Sequence, residues 1–256
     1  MHEHVGIPQL ADEVSRVLRR RSVRCVYFDL DDTLIVTSPV FEEYIMAYSR
    51  DLSDICGVDP NDIFSFFINF LHGLRGVYMV NPALLMESAR ITALHVGVQY
   101  YSPEVQTSTA ELMEIYQGKD ARVREGTTRT LEVFERAKID RVLITHASED
   151  NTYKKLRATR ISPSSFTHIF CLDDLGSKGV EEWKASVEKG KYHPEEILAG
   201  GDSWSADIVP ALAIGVPKAQ VFRIRHDRLD LNQSPIEGVA QLHHVGELPE
   251  HIVATL

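Results

Sequence analysis

The sequence predicts an α/β protein in which a parallel sheet, covered by helices on both faces, is interrupted by an inserted all-helical segment. Two observations support this fold class. Short, continuous apolar runs of strand length recur along the second half of the chain and alternate with helical stretches. More than 100 residues separate the first such run from the second, which is far too many for a single crossover connection.

The apolar runs define five strands. The first covers residues 23–29, and the others cover residues 141–145, 166–171, 197–199 and 219–224. A helix over residues 127–138 leads into the second strand, and an amphipathic helix is expected from the N-terminus to about residue 21.

The inserted segment is predicted to hold four helices. Its first helix carries one apolar stripe at offsets of 0, 3, 4, 7, 11 and 14, formed by Phe41, Tyr44, Ile45, Tyr48, Leu52 and Ile55. Each of the other three begins where a capping side chain precedes a proline, at Asp59-Pro60, Asn81-Pro82 and Ser102-Pro103. The predicted organisation is an N-terminal helical extension (1–21), an α/β core (22–37 and 119–256) and a helical insertion (38–118).

Composition and charge exclude several classes of protein. The chain has 256 residues, of which 44% are hydrophobic and 25% charged, as in ordinary globular proteins. Its net charge of −10 argues against a nucleic-acid partner. Its three distant cysteines predict no disulfide framework, and no apolar run is long enough for a membrane helix. Since the N-terminus also lacks signal-peptide features, we expect a cytoplasmic protein with no membrane partner. The sequence leaves the oligomeric state open.

Acidic residues follow two of the predicted strands, where open α/β sheets bind their ligands. Asp29 and Asp31 follow the first strand, and in continued strand geometry both side chains would point the same way. Asp202 follows the fourth strand. Carboxylates this close repel one another unless a cation holds them, and hard oxygen ligands suit Mg²⁺. A solvated acidic turn, or a helix N-cap at Asp202 or Ser203, would also account for these residues.

These residues resemble the motifs of the haloacid dehalogenase (HAD) superfamily, whose members are mostly magnesium-dependent phosphatases with an aspartate nucleophile and a Rossmann-like parallel sheet. The resemblance covers residues 22–37 and 119–256. The helical insertion matches the superfamily's cap domain in position and helical character. The matching motifs are, in order, Asp29-Leu30-Asp31-Asp32-Thr33, then Thr145, then Lys178, then Gly201-Asp202-Ser203 with Asp207. Three other lysines compete for the third motif: Lys184, Lys189 and Lys191.

The resemblance implies a covalent mechanism that uses two aspartates. Asp29 would attack phosphorus and form an aspartyl phosphate. Asp31 would protonate the leaving oxygen and then activate water. The cofactor would be Mg²⁺, held by the carboxylates of Asp29 and Asp202 and by the backbone carbonyl of Asp31.

The same resemblance implies roles for five further residues. Thr145, His146 and Lys178 would bind phosphoryl oxygens. His146 stands where the superfamily often has asparagine, and a capping role is the alternative for it. Asp207 would orient the lysine or a metal-bound water, and Thr33 would brace the loop that holds Asp31.

The implied function is that of a Mg²⁺-dependent phosphomonoester hydrolase acting on a small phosphorylated metabolite. A phosphomutase or phosphotransferase of the same superfamily is an alternative. A haloacid dehalogenase needs neither a second acid nor a metal, so Asp31 disfavours it. A non-catalytic binding module should have lost at least one charged motif residue. In the cap, residues 72–76 are expected to form a loop in which His72 or Arg75 either contacts the substrate or is solvated.

Overall fold

The computed structural model describes residues 6–75, 82–172, 178–225 and 235–256. The strands of this part of the chain are β1 (Cys25–Phe28), β2 (Ile35–Val36), β3 (Arg122–Val123), β4 (Asp140–Thr145), β5 (His168–Cys171), β6 (Ile197–Gly201), β7 (Val221–Ile224) and β8 (Ala240–Leu242). Six of them form one parallel sheet in the order β5-β4-β1-β6-β7-β8. The other two, β2 and β3, form a small antiparallel pair.

Helices occupy most of the rest of the described residues. In chain order they are α1 (Ile7–Arg20), α2 (Ser38–Cys56), α3 (Pro60–Arg75), α4 (Pro82–His95), α5 (Pro103–Met113), α6 (Thr127–Arg136), α7 (Glu149–Ala158), α8 (Val180–Gly190), α9 (Val209–Ala213) and α10 (Leu248–Thr255). No helix in the described ranges has the length and apolar character needed to span a membrane.

The central strand β1 is buried on both faces, which explains its unbroken apolar sequence. Val26 and Phe28 belong to a core that includes side chains of α1, α6, α7 and α10. Cys25 and Tyr27 point to the opposite face, where their core includes side chains of α8 and α9. The predicted α/β fold class is therefore confirmed, with helices on both faces of a parallel sheet.

All five predicted strands are present, and each end lies within two residues of its predicted position. The sequence analysis missed β8 and the β2–β3 pair. These strands contain only two or three residues, too few to show the alternation by which strands are recognised.

The inserted segment contains the four helices α2 to α5 and has its own apolar core. Helices α3, α4 and α5 begin at Pro60, Pro82 and Pro103 as predicted. The prediction of a loop at residues 72–76 is wrong for residues 72–75, because α3 continues to Arg75. Gly76 lies outside the described ranges. The buried Leu71 and half-buried Leu74 keep the helical period, and a single glycine costs a helix only about 1 kcal/mol.

Candidate active site

The site lies at the carboxyl end of β1, between the ends of β4 and β6. The register places Phe28 beside Leu143 on one side and beside Gly200 on the other. The backbone N–H of Asp29 continues the ladder by donating to the carbonyl of Gly200 at 3.2 Å. Because these strands are parallel, the residues that follow β1 and β6 meet at one edge of the sheet.

Three carboxylates converge at this edge. Each of Asp29, Asp202 and Asp207 offers an oxygen within 4.8 Å of the others. Gly201 makes this approach possible, because a Cβ atom there would lie 2.2 Å from Oδ2 of Asp207. The backbone N–H of Ser203 holds the same Oδ2 atom at 3.0 Å. A glycine at the end of β6 and an amide in the following turn therefore position Asp207.

Lys178 lies against two of these carboxylates. Its Nζ atom is 2.5 Å from Oδ1 of Asp29 and 2.5 Å from Oδ1 of Asp207. Burial alone would lower the pKa of Lys178, but the charges of Asp207 and Asp29 outweigh burial and raise that pKa. Lys178 therefore remains a cation in the protein interior.

The pKa values of Asp29 and Asp202 are shifted upwards. Burial raises the pKa of Asp29 to about 7, although the adjacent Lys178 charge opposes this effect. Burial, followed by the charges of Asp29 and Asp207, raises the pKa of Asp202 well above its ordinary value. One lysine thus compensates three carboxylates only in part.

The donor set fits a divalent cation. When all three carboxylates are ionised, they and the one ammonium group carry an excess of two negative charges in a largely buried site. A doubly charged ion would balance that excess, and carboxylate oxygens are the ligands that Mg²⁺ prefers. Asp207 belongs to this group of carboxylates, although the sequence analysis gave it only an orienting role.

The Asp31 carboxylate lies outside this group and has different partners. Lys155 Nζ donates to both of its oxygens, at 2.7 and 2.8 Å, and the Thr37 hydroxyl donates to Oδ1 at 2.6 Å. Asp29 and Asp31 therefore have different lysine partners, Lys178 and Lys155 respectively; that their side chains point the same way stays a prediction. Strand β1 ends at Phe28, so both residues lie beyond the strand; the chain turns after them at Asp32, whose backbone is left-handed with φ of 56°.

Asp32 caps the first helix of the inserted segment. Its Oδ1 atom accepts hydrogen bonds from the backbone N–H groups of Thr37 and Ser38, both at 2.9 Å. Its Oδ2 atom accepts from the Ser38 hydroxyl at 2.5 Å. Asp32 thus satisfies amide groups at the start of α2.

The predicted phosphate ligands occupy the neighbouring strand end. Thr145 ends β4; its hydroxyl is buried and has no hydrogen-bond partner in the described ranges. His146 follows and is half-buried. Ser148 is the N-cap residue of α7 and accepts from the backbone N–H of Asn151 at 3.4 Å, while a capping role for His146 stays a prediction.

Thr33 and the competing lysines lie away from these contacts. The Thr33 hydroxyl is buried and, in the part of the chain that is described, makes no hydrogen bond, so none supports its expected bracing role. The side chains of Lys184, Lys189 and Lys191 are exposed. Lys189 lies over the Phe170 ring at 5.6 Å, and Lys191 ends α8 in a left-handed conformation.

Residues 23–215, about three quarters of the chain, match the sequence profile of the haloacid dehalogenase-like hydrolases. The protein belongs to this family. The match contains Asp29, Asp31, Thr145, Lys178 and Asp202. No curated protein matches the sequence.

Solved structures of HAD-like hydrolases share the fold. A haloacid dehalogenase-like family hydrolase from Xanthomonas campestris has a TM-score of 0.70 at 17% identity, covering 91% of this chain and 92% of that one. A protein assigned as a β-phosphoglucomutase from Thermotoga maritima has a TM-score of 0.67 at 17% identity, covering 91% and 100%. The HAD-hydrolase YfnB from Bacillus subtilis, bound to magnesium, has a TM-score of 0.64 at 19% identity, covering 91% and 99%. Haloacid dehalogenases also match.

Two residues near the site of this HAD-like hydrolase were missed by the sequence analysis. Lys155 reaches Asp31 from α7, and Arg223 on β7 donates to the backbone carbonyl of Asp202 at 2.8 Å. The spacing of the sequence could have indicated Lys155. It lies three residues after Thr152 and four before Thr159, both of which are buried, and this spacing places all three on one face of a helix. No comparable pattern marked Arg223.

Proposed function

We propose that this HAD-like hydrolase is a Mg²⁺-dependent phosphomonoester hydrolase that acts on a small phosphorylated metabolite. The main support is the convergence of the Asp29, Asp202 and Asp207 carboxylates, with Lys178 bound to two of them. This arrangement combines a nucleophile, ligands for a divalent cation and a fixed positive charge at the carboxyl edge of the sheet. Those are the components that transfer of an anionic phosphoryl group requires.

In the first step, an oxygen of Asp29 attacks phosphorus in line with the ester oxygen. The new bond joins Asp29 to phosphorus, while the bond between phosphorus and the ester oxygen breaks. Asp31 gives its proton to the leaving oxygen. Lys178 and the buried hydroxyl of Thr145 bind the phosphoryl oxygens, with His146 beside them, while Asp207 keeps Lys178 in place.

In the second step, Asp31 takes a proton from a water molecule, which attacks phosphorus in turn. The bond between Asp29 and phosphorus breaks, so that inorganic phosphate leaves and the Asp29 carboxylate is restored. Asp31 thus acts first as an acid and then as a base.

The cation would be held by the carboxylates of Asp29 and Asp202 and by the backbone carbonyl of Asp31, with the Asp207 carboxylate close by. When bound, Mg²⁺ offsets the repulsion between an anionic nucleophile and an anionic phosphate. It also favours the ionised forms of Asp29 and Asp202, whose pKa values are otherwise raised by burial.

Two other activities of this family use a similar site. A haloacid dehalogenase has no need of a second acid or of a metal, whereas here Asp31 follows the nucleophile and Asp202 and Asp207 lie beside it. A phosphomutase would use the same residues but transfer the phosphoryl group to a second substrate hydroxyl. Hydrolysis is favoured because it needs water alone as the acceptor.

We also propose that residues 38–118 form a cap that selects the substrate, that residues 22–37 and 119–256 form the catalytic core, and that residues 1–21 are an N-terminal extension. The separate apolar core of the inserted helices supports this division. In such a cap, His72 is an exposed residue near the end of α3 and is a candidate for substrate contact; the side chain of Arg75 lies outside the described part of the structure.

The test is phosphate release from a panel of sugar, nucleotide and organic-acid monophosphates, with and without Mg²⁺. We expect turnover that requires the metal and falls at least about 1,000-fold in Asp29→Asn, because amide substitution removes the nucleophile. Asp54→Asn is the matched control, since Asp54 is exposed on α2.

Each contrary result identifies a different alternative. Robust turnover by Asp29→Asn would exclude Asp29 as the nucleophile. Phosphoryl transfer to a second hydroxyl of the substrate would identify a mutase or phosphotransferase. Halide release from 2-haloacids without metal would identify a dehalogenase, and ligand binding without any turnover would identify a binding module.

A further inference from the structure

Lys155 is a buried cation bound to the proposed acid and base of the reaction. Its side chain is 9% exposed and that of Asp31 is 29% exposed. Its Nζ atom is 2.7 and 2.8 Å from the two oxygens of the Asp31 carboxylate. In the described part of the chain, Asp31 is the acidic residue that forms an ion pair with Lys155.

Burial makes this contact a strong constraint on Lys155. A lysine ammonium group is rarely buried without a paired anion, because loss of hydration is costly. Lys155 lies on the inward face of α7, beside the core residue Leu156. With its stem enclosed and its charge needing a partner, Lys155 holds the Asp31 carboxylate at a definite position.

This contact occupies the carboxylate that the reaction needs free. Both oxygens of Asp31 accept hydrogen bonds from Lys155, and Oδ1 also accepts one from the Thr37 hydroxyl. Lys178 pairs with Asp29 and Asp207, whereas Asp31 pairs with Lys155. To protonate an oxygen leaving from phosphorus at Asp29, the Asp31 side chain must first leave Lys155.

We propose that Lys155 is a positioning residue that holds Asp31 withdrawn from Asp29 when no substrate is bound. This inference rests on the proposed function, because it assigns Asp31 the role of acid and base. The partial exposure of Asp31 makes the arrangement reversible. Water can solvate the carboxylate as it leaves Lys155, so the contact is weaker than a fully enclosed ion pair.

Lys155→Met separates this role from general support of the fold when two kinds of substrate are compared. An alkyl phosphate needs a proton on its leaving oxygen, whereas a nitrophenyl phosphate releases a stable anion and depends little on the acid. If Lys155 holds Asp31 back, its removal should raise kcat/KM for the alkyl ester relative to the aryl ester by at least about threefold, because kcat/KM reports the first step and not the hydrolysis of the shared phosphoenzyme.

Lys154→Met is the matched control. Lys154 precedes Lys155 on α7 and pairs with Asp150, but its side chain is 33% exposed. We expect this variant to keep the wild-type ratio of the two kcat/KM values. Lys155→Gln removes the charge but keeps a hydrogen-bond donor, so it should raise the ratio of alkyl to aryl ester turnover by less. It also replaces Lys155→Met in the test if that variant does not fold.

An unchanged or lower ratio in the folded Lys155 variants would overturn the proposal. Crystal structures of the wild type and the variant without substrate provide a readout that does not depend on turnover. We expect the Asp31 carboxylate to turn towards Asp29 in the variant, and an unmoved carboxylate would contradict the proposed role of Lys155. If the wild type hydrolyses neither ester, the proposed function fails, while the crystal structures still test Lys155.

Discussion

Lys178 and Asp207 form an ion pair of 2.5 Å in which each side chain is 1% exposed. Because Lys178 also pairs with Asp29, it joins the segment after β1 to the short π-helix, Trp204–Ile208, that follows β6. A buried pair of this kind contributes little net stability over apolar packing, but removal of one member leaves an unpaired buried charge.

Lys178→Met should therefore lower the free energy of unfolding by about 3–5 kcal/mol, measured by urea denaturation without metal. The substitution leaves both Asp29 and Asp207 without their cation. Lys184→Met is the matched control. Lys184 is exposed on α8, the helix that begins shortly after Lys178, so its loss should change stability by less than about 0.5 kcal/mol. Equal effects of the two substitutions would show that the buried contacts of Lys178 carry no stability.

The effect of Mg²⁺ on stability should depend on pH. Burial raises the pKa of Asp29 to about 7, and burial with neighbouring carboxylates raises that of Asp202. Without metal, the folded protein therefore binds more protons than the unfolded chain between the usual aspartate pKa of about 4 and about 7. Across this range, the contribution of these groups to stability falls as the pH rises.

Mg²⁺ competes with protons for the same oxygens, so the rise in Tm on adding Mg²⁺ should be larger at about pH 8 than at about pH 5.5. Differential scanning calorimetry at both pH values measures this difference. Asp202→Asn should abolish most of the rise, whereas Asp54→Asn should preserve it. A rise that is equal at both pH values would argue that the ion binds elsewhere.

Gly201→Ala should disturb the site through steric contact alone. The added methyl group would lie 2.2 Å from Oδ2 of Asp207, so Asp207 or the turn that holds it must move. We expect a loss of about 1–3 kcal/mol in stability and at least about a tenfold fall in kcat for phosphate release. Wild-type kcat in this variant would mean that the position of Asp207 is unimportant.

Gly73→Ala is the control for the added methyl group. Gly73 lies within α3, and no atom of the described neighbouring residues lies within 4 Å of its Cβ position. Because alanine favours helix more than glycine does, this variant should gain about 0.5–1 kcal/mol.

Asp32 should contribute to stability as a helix cap and not through its charge. Asp32→Ala removes the acceptor for the Thr37 and Ser38 amides and should cost about 1–2 kcal/mol. Asp32→Asn keeps an acceptor oxygen and tolerates the left-handed backbone at φ of 56°, so its cost should be smaller. Urea denaturation of both variants tests this order. A mainly electrostatic role for Asp32 would instead give equal losses of stability in the two variants.

Much of this site could be predicted because its residues follow recognisable strands. Asp29, Thr145 and Asp202 each come directly after an apolar run, and parallel strands bring their carboxyl ends to one edge. The failed loop prediction depended on local backbone geometry, since α3 continues through Gly73. The contact of Asp31 with Lys155 was missed because the two residues are far apart in the chain.

By itself, the amino-acid sequence determined the alternation of strands and helices, the helical insertion and the order of acidic residues along the chain. These features follow from hydrophobic periodicity and capping residues, which act over a few neighbouring positions. Only the tertiary structure decided that Lys178 contacts Asp29 and Asp207 while Lys155 contacts Asp31. Each of these contacts joins residues far apart in the chain, and each depends on buried charges finding partners that no local pattern specifies.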